Sequence, residues 1–428
     1  MSKLPSLSGQ PTAQETQYRT GDQALVREIN LSLIMNRLRE HAPISRAALA
    51  EITGLNKSTV SSLINELIDH QFVREVGLSS AGIGRPSMQL QLNPQAGFIV
   101  SGEIGIGFVS VVCANFAAEV IWRYKAKVQP ESSQQETIDQ ALALLRQAIA
   151  VGREKCEGCD RLLGVALAVP GLVDQSDGML LFAPNLSWEN VPLKAILKEA
   201  FPEVPVFVEN EANMAALGEY FFGAAQGYDE VLYISAGVGL GGALVRGGQV
   251  VRGKTGFASE FGHMTMYPDG ERCNCGNVGC WETCVSQSVV FRQVRRAIDE
   301  GKPSVLCGMV DNDLDRLTVS LIVDAAQLGD QVALQALEEV GHHLGVGIAS
   351  LVNALNPDLV LFGGILSVAG NFLLPIVELE LQQRALRWNA NAAKVALARH
   401  GFYASVVGGV AMVYQTILSQ PSNAASVI

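Results

Sequence analysis

His263, Cys273, Cys275 and Cys280 fall within eighteen residues of one another, in a stretch that reads EFGHMTMYPDGERCNCGNVGCWE from Glu260 to Glu282. One imidazole and three thiolates make the donor set zinc prefers, and four closed ligands make a structural rather than a catalytic site. The Cys-x-Cys and Cys-x4-Cys spacings differ from the usual zinc-finger pairs. Gly276 and Gly279 would let the backbone fold back so that Cys280 rejoins the others. The competing reading is three buried free thiols. The gathering of four soft ligands among glycines and polar residues favours the metal. Glu260 and Glu282 flank the cluster. A pinned loop would hold them, with His263, as rigidly as a binding site requires.

The string E-x-G-H-M-T…C-x-C-G-x-x-G-C-W-E resembles the signature of the ROK family of repressors, open reading frames and sugar kinases. The resemblance implies zinc on His263, Cys273, Cys275 and Cys280. It also implies that Glu260, His263 and Glu282 face a sugar.

The surrounding chain must position these groups. At 428 residues it is long enough for two or three domains, and its abundant glycine suits packed α/β lobes. The polar start MSKLPSLSGQPTAQETQ carries no apolar core of a signal peptide. The apolar run Phe98 to Ile121 is interrupted by Glu103, Asn115 and glycines, and reads as paired strands rather than a membrane span. The eight cysteines are too few for a disulfide framework in so long a chain, and suit a cytoplasmic protein that uses them as metal ligands. Cys156 and Cys159 form a lone C-x-x-C whose spacing is read as incidental. Net charge is −11, which argues against nucleic acid over the whole surface. Residues 1–90, however, hold nine Lys+Arg against eight Asp+Glu, leaving −12 to the rest. Any DNA contact belongs in that front segment.

Residues 1–22 read as a flexible tail, and residues 23–94 as a winged helix-turn-helix domain. Leu25, Ile29, Leu33, Ile34 and Leu38 recur at helical spacing up to His41, and Pro43 ends that helix. Ser45 caps a short helix ending at Gly54, and Asn56 caps a third. Val60, Leu63, Ile64 and Leu67 share the inward face of that third helix. Ser58, Ser61, Ser62 and Asn65 share the other, where small hydrogen-bonding side chains suit base edges and phosphates in a major groove. Lys57 suits a phosphate. A β-hairpin follows, with Arg85 at its Gly-Arg-Pro tip, placed to enter a minor groove. The competing reading is a helical bundle for docking protein. Such a head binds weakly alone, so a homodimer or tetramer on operator DNA is expected.

From Gly97 the pattern strand-strand-strand-helix-strand-helix runs twice, which predicts two similar lobes with a cleft between. The expected division is a first lobe over residues 95–210, completed by a C-terminal helix at about 405–420. A second lobe, carrying the metal loop 260–282, covers residues 211–404. The family resemblance implies the actin-like, ribonuclease-H-like ATPase fold.

The resemblance further implies one sugar pocket lined by Asn185, Asn210, Glu211, Glu260, His263 and Glu282. A helix cap alone would also explain Asn210 and Glu211. The phosphate machinery departs from the family's kinases. Glu211 stands where a kinase carries its Asp base, a change that displaces the carboxylate by about one bond. Glu103-Ile104-Gly105-Ile106-Gly107-Phe108 replaces D-x-G-G-T, losing the Asp that serves Mg²⁺ and the Thr hydroxyl. Ser235–Gly242 keeps its glycines without a Thr, and Phe362-Gly363-Gly364 resembles the nucleotide-side turn. Glycines alone also allow tight strand turns.

These features predict a non-catalytic, kinase-like sensor: a repressor answering a monosaccharide. The Glu of Asn-Glu-Ala-Asn and the string Gly-Cys-Trp-Glu are similar to the family's xylose-repressor branch, which implies a pentose. The enzyme alternative is an ATP-dependent sugar kinase with an added DNA-binding head. A third reading replaces the sugar with a transporter subunit as partner. No membrane insertion is expected.

Overall fold

The computed structural model describes residues 22–79, 87–156 and 161–422. The head comprises α1 (Gln23–His41), β1 (Ile44–Ser45), α2 (Arg46–Thr53), α3 (Lys57–Asp69), β2 (Val73–Ser79) and β3 (Ser87–Leu92). Its boundaries follow from short-range chemistry. The Ser45 hydroxyl accepts from Ala48 N at the start of α2, and Gly54 ends that helix at φ +70°. Asn56 Oδ1 accepts from Thr59 N at 2.8 Å to cap α3. Val60, Leu63, Ile64 and Leu67 are buried, as the spacing predicts. The strands pair in the order β1-β3-β2, and the wing's tip, with Arg85, lies outside the described residues.

One expectation for α1 fails. Leu25 and Ile29 are 40% and 57% exposed, and the buried face is Leu31, Ile34, Met35 and Leu38. Periodicity locates the helix, but its first two turns find little to pack against.

The first lobe contains β4 (Phe98–Gly105), β5 (Phe108–Asn115), β6 (Val120–Lys127), α4 (Gln134–Lys155), β7 (Leu162–Val169), β8 (Leu172–Val173), β9 (Leu180–Ala183), β10 (Trp188–Val191), α5 (Leu193–Ala200), β11 (Val206–Asn210) and α6 (Glu211–Phe222). The second follows as β12 (Glu230–Ala236), β13 (Leu240–Arg246), β14 (Gln249–Val250), α7 (Gln287–Asp299), α8 (Leu306–Met309), α9 (Val319–Gln327), α10 (Gln331–Leu355), β15 (Leu359–Gly363), α11 (Gly370–Arg384), α12 (Arg387–Ala392) and β16 (Lys394–Leu397), and α13 (Ala404–Ser419) returns to the first lobe. The two main sheets repeat one topology. Their orders, β6-β5-β4-β7-β11 and β14-β13-β12-β15-β16, each join an antiparallel three-strand meander to two parallel strands. That duplicated order matches the two similar lobes expected from the alternation, and the actin-like fold that the family resemblance implies.

Helices α6 and α13 pack against each other between the sheets, α6 under β12 and β13, α13 under β4 and β7. Gly218 and Gly408 permit the close approach, since a Cβ on Gly408 would lie 1.7 Å from Met214 O. The stretches Ile365–Arg384 and Gly401–Ser419 are long and apolar enough to cross a membrane, but the second is mostly buried and α11 of the first packs on α10. Cys156, at the C-terminal cap of α4, is disulfide-bonded, and Cys159 of the C-x-x-C lies outside the described residues.

The head is not a separate bead. Leu38, Phe72 and Leu90 belong to the same buried apolar cluster as Phe116, Val410 and Tyr414 of the first lobe. Phe72 and Phe116 lie 5.5 Å apart between ring centroids, Phe116 and Tyr414 5.1 Å, and Tyr414 and Phe222 5.3 Å. Each such buried ring contributes about 1.5–3 kcal/mol of burial free energy.

Candidate functional site

The metal-loop residues converge. One ligand atom from each of His263, Cys273, Cys275 and Cys280 lies within 4.8 Å of the others. Cys273 Sγ is 3.7 Å from His263 Nδ1, and Cys275 Sγ is 3.8 Å from Cys280 Sγ. Ligands about 2.0–2.3 Å from one ion span tetrahedral edges of roughly 3.5–3.8 Å, so the four fit a zinc ion. Gly276 and Gly279 take φ +95° and +70°, the folding-back expected of them; a Cβ on Gly279 would lie 1.5 Å from Tyr267 O. The loop is anchored to α10. Buried Trp281 donates from Nε1 to His343 O at 2.9 Å and fills the space above Gly347, while Tyr267 Oη meets His343 Nδ1 at 3.1 Å.

Beside the loop, between the lobes, lies a cavity of about 270 Å³. Asn185, Asn210, Glu211, Glu260, His263 and Glu282 all line it. Several of these groups are partly engaged. Asn210 Oδ1 caps α6 by accepting from Ala212 N and Asn213 N, and its Nδ2 donates to Gly171 O at 3.0 Å, leaving one amide hydrogen for a ligand. The cap explanation of Asn210 therefore holds for its oxygen. Glu282 Oε2 accepts from Leu240 N at 2.8 Å. Asn185 Oδ1 accepts from Asn274 Nδ2 at 2.9 Å.

Glu211 opens onto the cavity, yet its Oε2 is sealed from solvent and unpartnered. Burial, with repulsion from Glu103, Glu260 and Glu282, pushes its carboxyl up to about 8. Burial pushes Glu103 up to about 7, which Ser405 and Lys125 only partly oppose. Burial and Glu282 do the same to Glu260, to about 7.

The glycine stretches that the family resemblance assigns to phosphates also line this cavity. Here the Phe108 ring folds back onto Gly105, where a Cβ would lie 2.2 Å from Phe108 Cζ. Lys125 Nζ sits 3.7 Å from the Phe108 ring centroid and 5.2 Å from that of Phe402. The strand register aligns Glu103, Ser110 and Lys125 in one row across β4, β5 and β6. The second glycine loop is a tight turn, with Gly237 N donating to Gly239 O, and Glu282 occupies its Leu240 amide. Gly363 and Gly364 make room for Tyr233 and Ala236. Close packing accounts for these glycines.

Three groups escape sequence reasoning. Glu209 is buried and accepts from Arg252, from Gln175 Nε2 at 2.8 Å and from Asn213 Nδ2 at 3.1 Å. Lys125 hides in an alternating edge strand, and Asn274 sits between two cysteines. In the head, Lys57, Ser58, Ser62 and Asn65 are exposed on α3 and Ser61 is half-buried. Ser58 Oγ donates to Asn56 Oδ1, and Asn65 Oδ1 accepts from Arg46 Nη2 at 3.1 Å. Arg46, itself paired with Glu75 at 2.7 Å, is a further group on this face.

Comparison with known proteins bears on the whole chain. The IclR helix-turn-helix domain matches residues 31–77. The chain is 32% identical to a xylose repressor of Caldicellulosiruptor bescii over 94% of its own length and 100% of that protein. It is 31% identical to the xylose repressor of Bacillus subtilis strain 168, over 90% and 95%. Among solved structures, a ROK family transcriptional regulator described as a homologue of the E. coli MLC protein superposes with TM-score 0.80 at 28% identity, covering 94% of this chain and 99% of that one. A ROK family glucokinase from Streptomyces griseus, solved with glucose and AMPPNP, superposes with TM-score 0.66 at 32% identity over 74% of this chain and 99% of its own. The ROK family profile itself matches residues 102–416, and with these relatives spanning head and lobes alike, the chain belongs to the ROK family.

Proposed function

We propose that the chain is a sugar-responsive transcriptional repressor of the cytoplasm, gripping operator DNA as a homodimer through its head and taking a monosaccharide in the interlobe cavity. The observation that carries this reading is the course of α6. Its first residue, Glu211, lines the cavity. Its last turn, Phe221 and Phe222, meets Tyr414 of α13 and Arg39 of the head. Twelve residues, about 18 Å of helix, join the two sites. A sugar that favours one lobe arrangement would move the head with it. About 1–3 kcal/mol of coupling gives a 5–150-fold change in operator affinity.

In this reading Lys57, Ser58, Ser61, Ser62, Asn65 and Arg85 face DNA. The names of the relatives favour a pentose effector. Zinc, held by His263 Nδ1 and the thiolates of Cys273, Cys275 and Cys280, fixes the loop that carries Glu260 and Glu282 and leaves His263 Nε2 for the ligand.

The kinase reading keeps one supporting observation: Glu211, unpartnered at Oε2, could serve as a base. The Phe108 ring on the first phosphate loop and the loss of the Leu240 amide to Glu282 weigh against it. The test selects operator DNA from a random pool with the full chain, then titrates D-xylose, D-glucose and N-acetyl-D-glucosamine. Release of the selected DNA by one of them is expected. Failure to enrich any sequence, or enrichment with no saccharide effect, overturns the proposal.

A further inference from the structure

Asn274 stands between two of the clustered cysteines, Cys273 and Cys275, and its side chain is exposed. Its backbone is held from both sides: Cys273 N donates to Asn277 O at 2.9 Å, and Gly276 N to Cys273 O at 3.0 Å. From that fixed point Nδ2 reaches the opposite wall of the cleft and donates to Asn185 Oδ1 at 2.9 Å. Asn185 lies on the turn joining β9 to β10 in the first lobe, 89 residues away in sequence.

The other end of the Asn185 amide faces the pocket. A Cβ on Gly239 would lie 3.1 Å from Asn185 Nδ2 and 2.5 Å from Glu282 Oε2, so the amide nitrogen and this carboxylate border one small space. A free asparagine can present either its oxygen or its nitrogen to a ligand. With the oxygen turned to a donor on the metal loop, the nitrogen is the end of the amide that borders the space at Gly239.

We propose that Asn274 is a positioning residue of the ligand pocket. It bridges the metal loop to the first lobe and fixes Asn185 as a hydrogen-bond donor toward an acceptor oxygen of the bound molecule. The wall opposite that donor is Glu282, an acceptor, so the pair suits a hydroxyl that accepts from Asn185 and donates to Glu282. This rests on the reading of the cavity as a monosaccharide site. It also makes the loop a clasp across the cleft.

The test compares the full chain with Asn274→Ala, Asn274→Asp, Asn185→Ala and the Asn185→Ala/Asn274→Ala pair. Bound zinc is measured in each. Asn274→Asp keeps the shape and replaces the donor with an acceptor, so a residue that merely fills space would tolerate it. The expected result is unchanged zinc in Asn274→Ala and faster amide exchange at residues 184–188 without ligand. Affinity for D-xylose or D-glucose should fall roughly fivefold, the equivalent of one net hydrogen bond. Asn274→Asp should bind at least as poorly, and the double variant no worse than Asn185→Ala alone. Wild-type exchange at residues 184–188 in Asn274→Ala, or additive losses in the double variant, overturns the proposal. Should the wild type bind none of D-xylose, D-glucose and N-acetyl-D-glucosamine, the functional reading falls, and the exchange comparison still decides the bridge.

Discussion

The guanidinium of Arg39, in the last turn of the head's first helix, lies 5.0 Å above the ring centroid of Phe221 at the end of α6. Head and cleft therefore meet through one rigid element. A cation–π contact of this kind contributes about 0.5–1 kcal/mol. Arg39→Met keeps most of the packing and removes the charge. It should leave saccharide affinity unchanged and shrink the saccharide's effect on operator affinity about two- to fivefold. Paired titrations, DNA with and without saccharide, measure that ratio. An unchanged ratio would remove Arg39 from the coupling.

The metal loop yields a second expectation. Cys275 is half-buried and contributes one of four converging ligand atoms. Cys275→Ser should lose the bound zinc and the saccharide response together, because Glu260 and His263 ride on the same loop. Metal analysis beside calorimetry checks both. A metal-free variant that still binds saccharide with wild-type affinity would cut the link.

What was legible beforehand follows from distance along the chain. Ser45 and Asn56 cap their helices through contacts three residues away, so the head could be read nearly to the residue. The His263–Cys280 cluster was equally local, and so was the repeated strand pattern of the lobes. The pairs that tailor the cavity were not. Asn274 and Asn185 are 89 residues apart, Arg252 and Glu209 43, and nothing near either partner announces the other. The Phe108 ring over Gly105 was missed for another reason: sequence registered the lost Thr hydroxyl but not what fills the space. Leu25 and Ile29 failed in the opposite sense, being apolar at helical spacing where the fold supplies no partner.

The buried carboxyls set a pH dependence. Glu103 and Glu211 are pushed by burial to about 7 and about 8 in the folded chain, above their ordinary value of 4.5. The folded state thus holds more protons than the unfolded state between those limits, and stability falls as pH rises through them. Below about pH 4.5 both states are protonated and the effect vanishes. The melting temperature should therefore decline from pH 5 to pH 8, and Glu211→Gln should flatten that decline, with its largest gain near pH 8. A parallel decline in the variant would show that Glu211 ionises without penalty.

On the head, Asn65 is exposed on α3 and Arg46 holds its oxygen. An asparagine so oriented can donate to a base edge. Asn65→Ala should cost about 0.5–1.5 kcal/mol, one hydrogen bond, against the selected operator and little against random DNA. Lys57→Ala should weaken both alike and lower the salt dependence of binding. Equal losses on both DNAs for Asn65→Ala would take it off the base-reading face.

Phosphoryl transfer gives the last expectation. A transferring site needs hydroxyl, metal and free backbone amides around the phosphates. Here the first loop carries a phenyl ring on Gly105 with Lys125 above it, and the second loop has given its Leu240 amide to Glu282. Glu103, buried beside Lys125, stands where the family resemblance expects the Asp that serves magnesium. ATP would have to displace the ring and the ammonium before reaching any of these groups. The chain should release no ADP with any hexose or pentose, and AMPPNP should leave its melting temperature unchanged. Phe108→Ala, which opens the loop, should admit the nucleotide before it restores turnover, because the Thr hydroxyl is still missing and Glu103 remains buried. Saccharide-dependent ADP release by the unaltered chain, abolished by Glu211→Gln, would instead make it a kinase that also reads DNA.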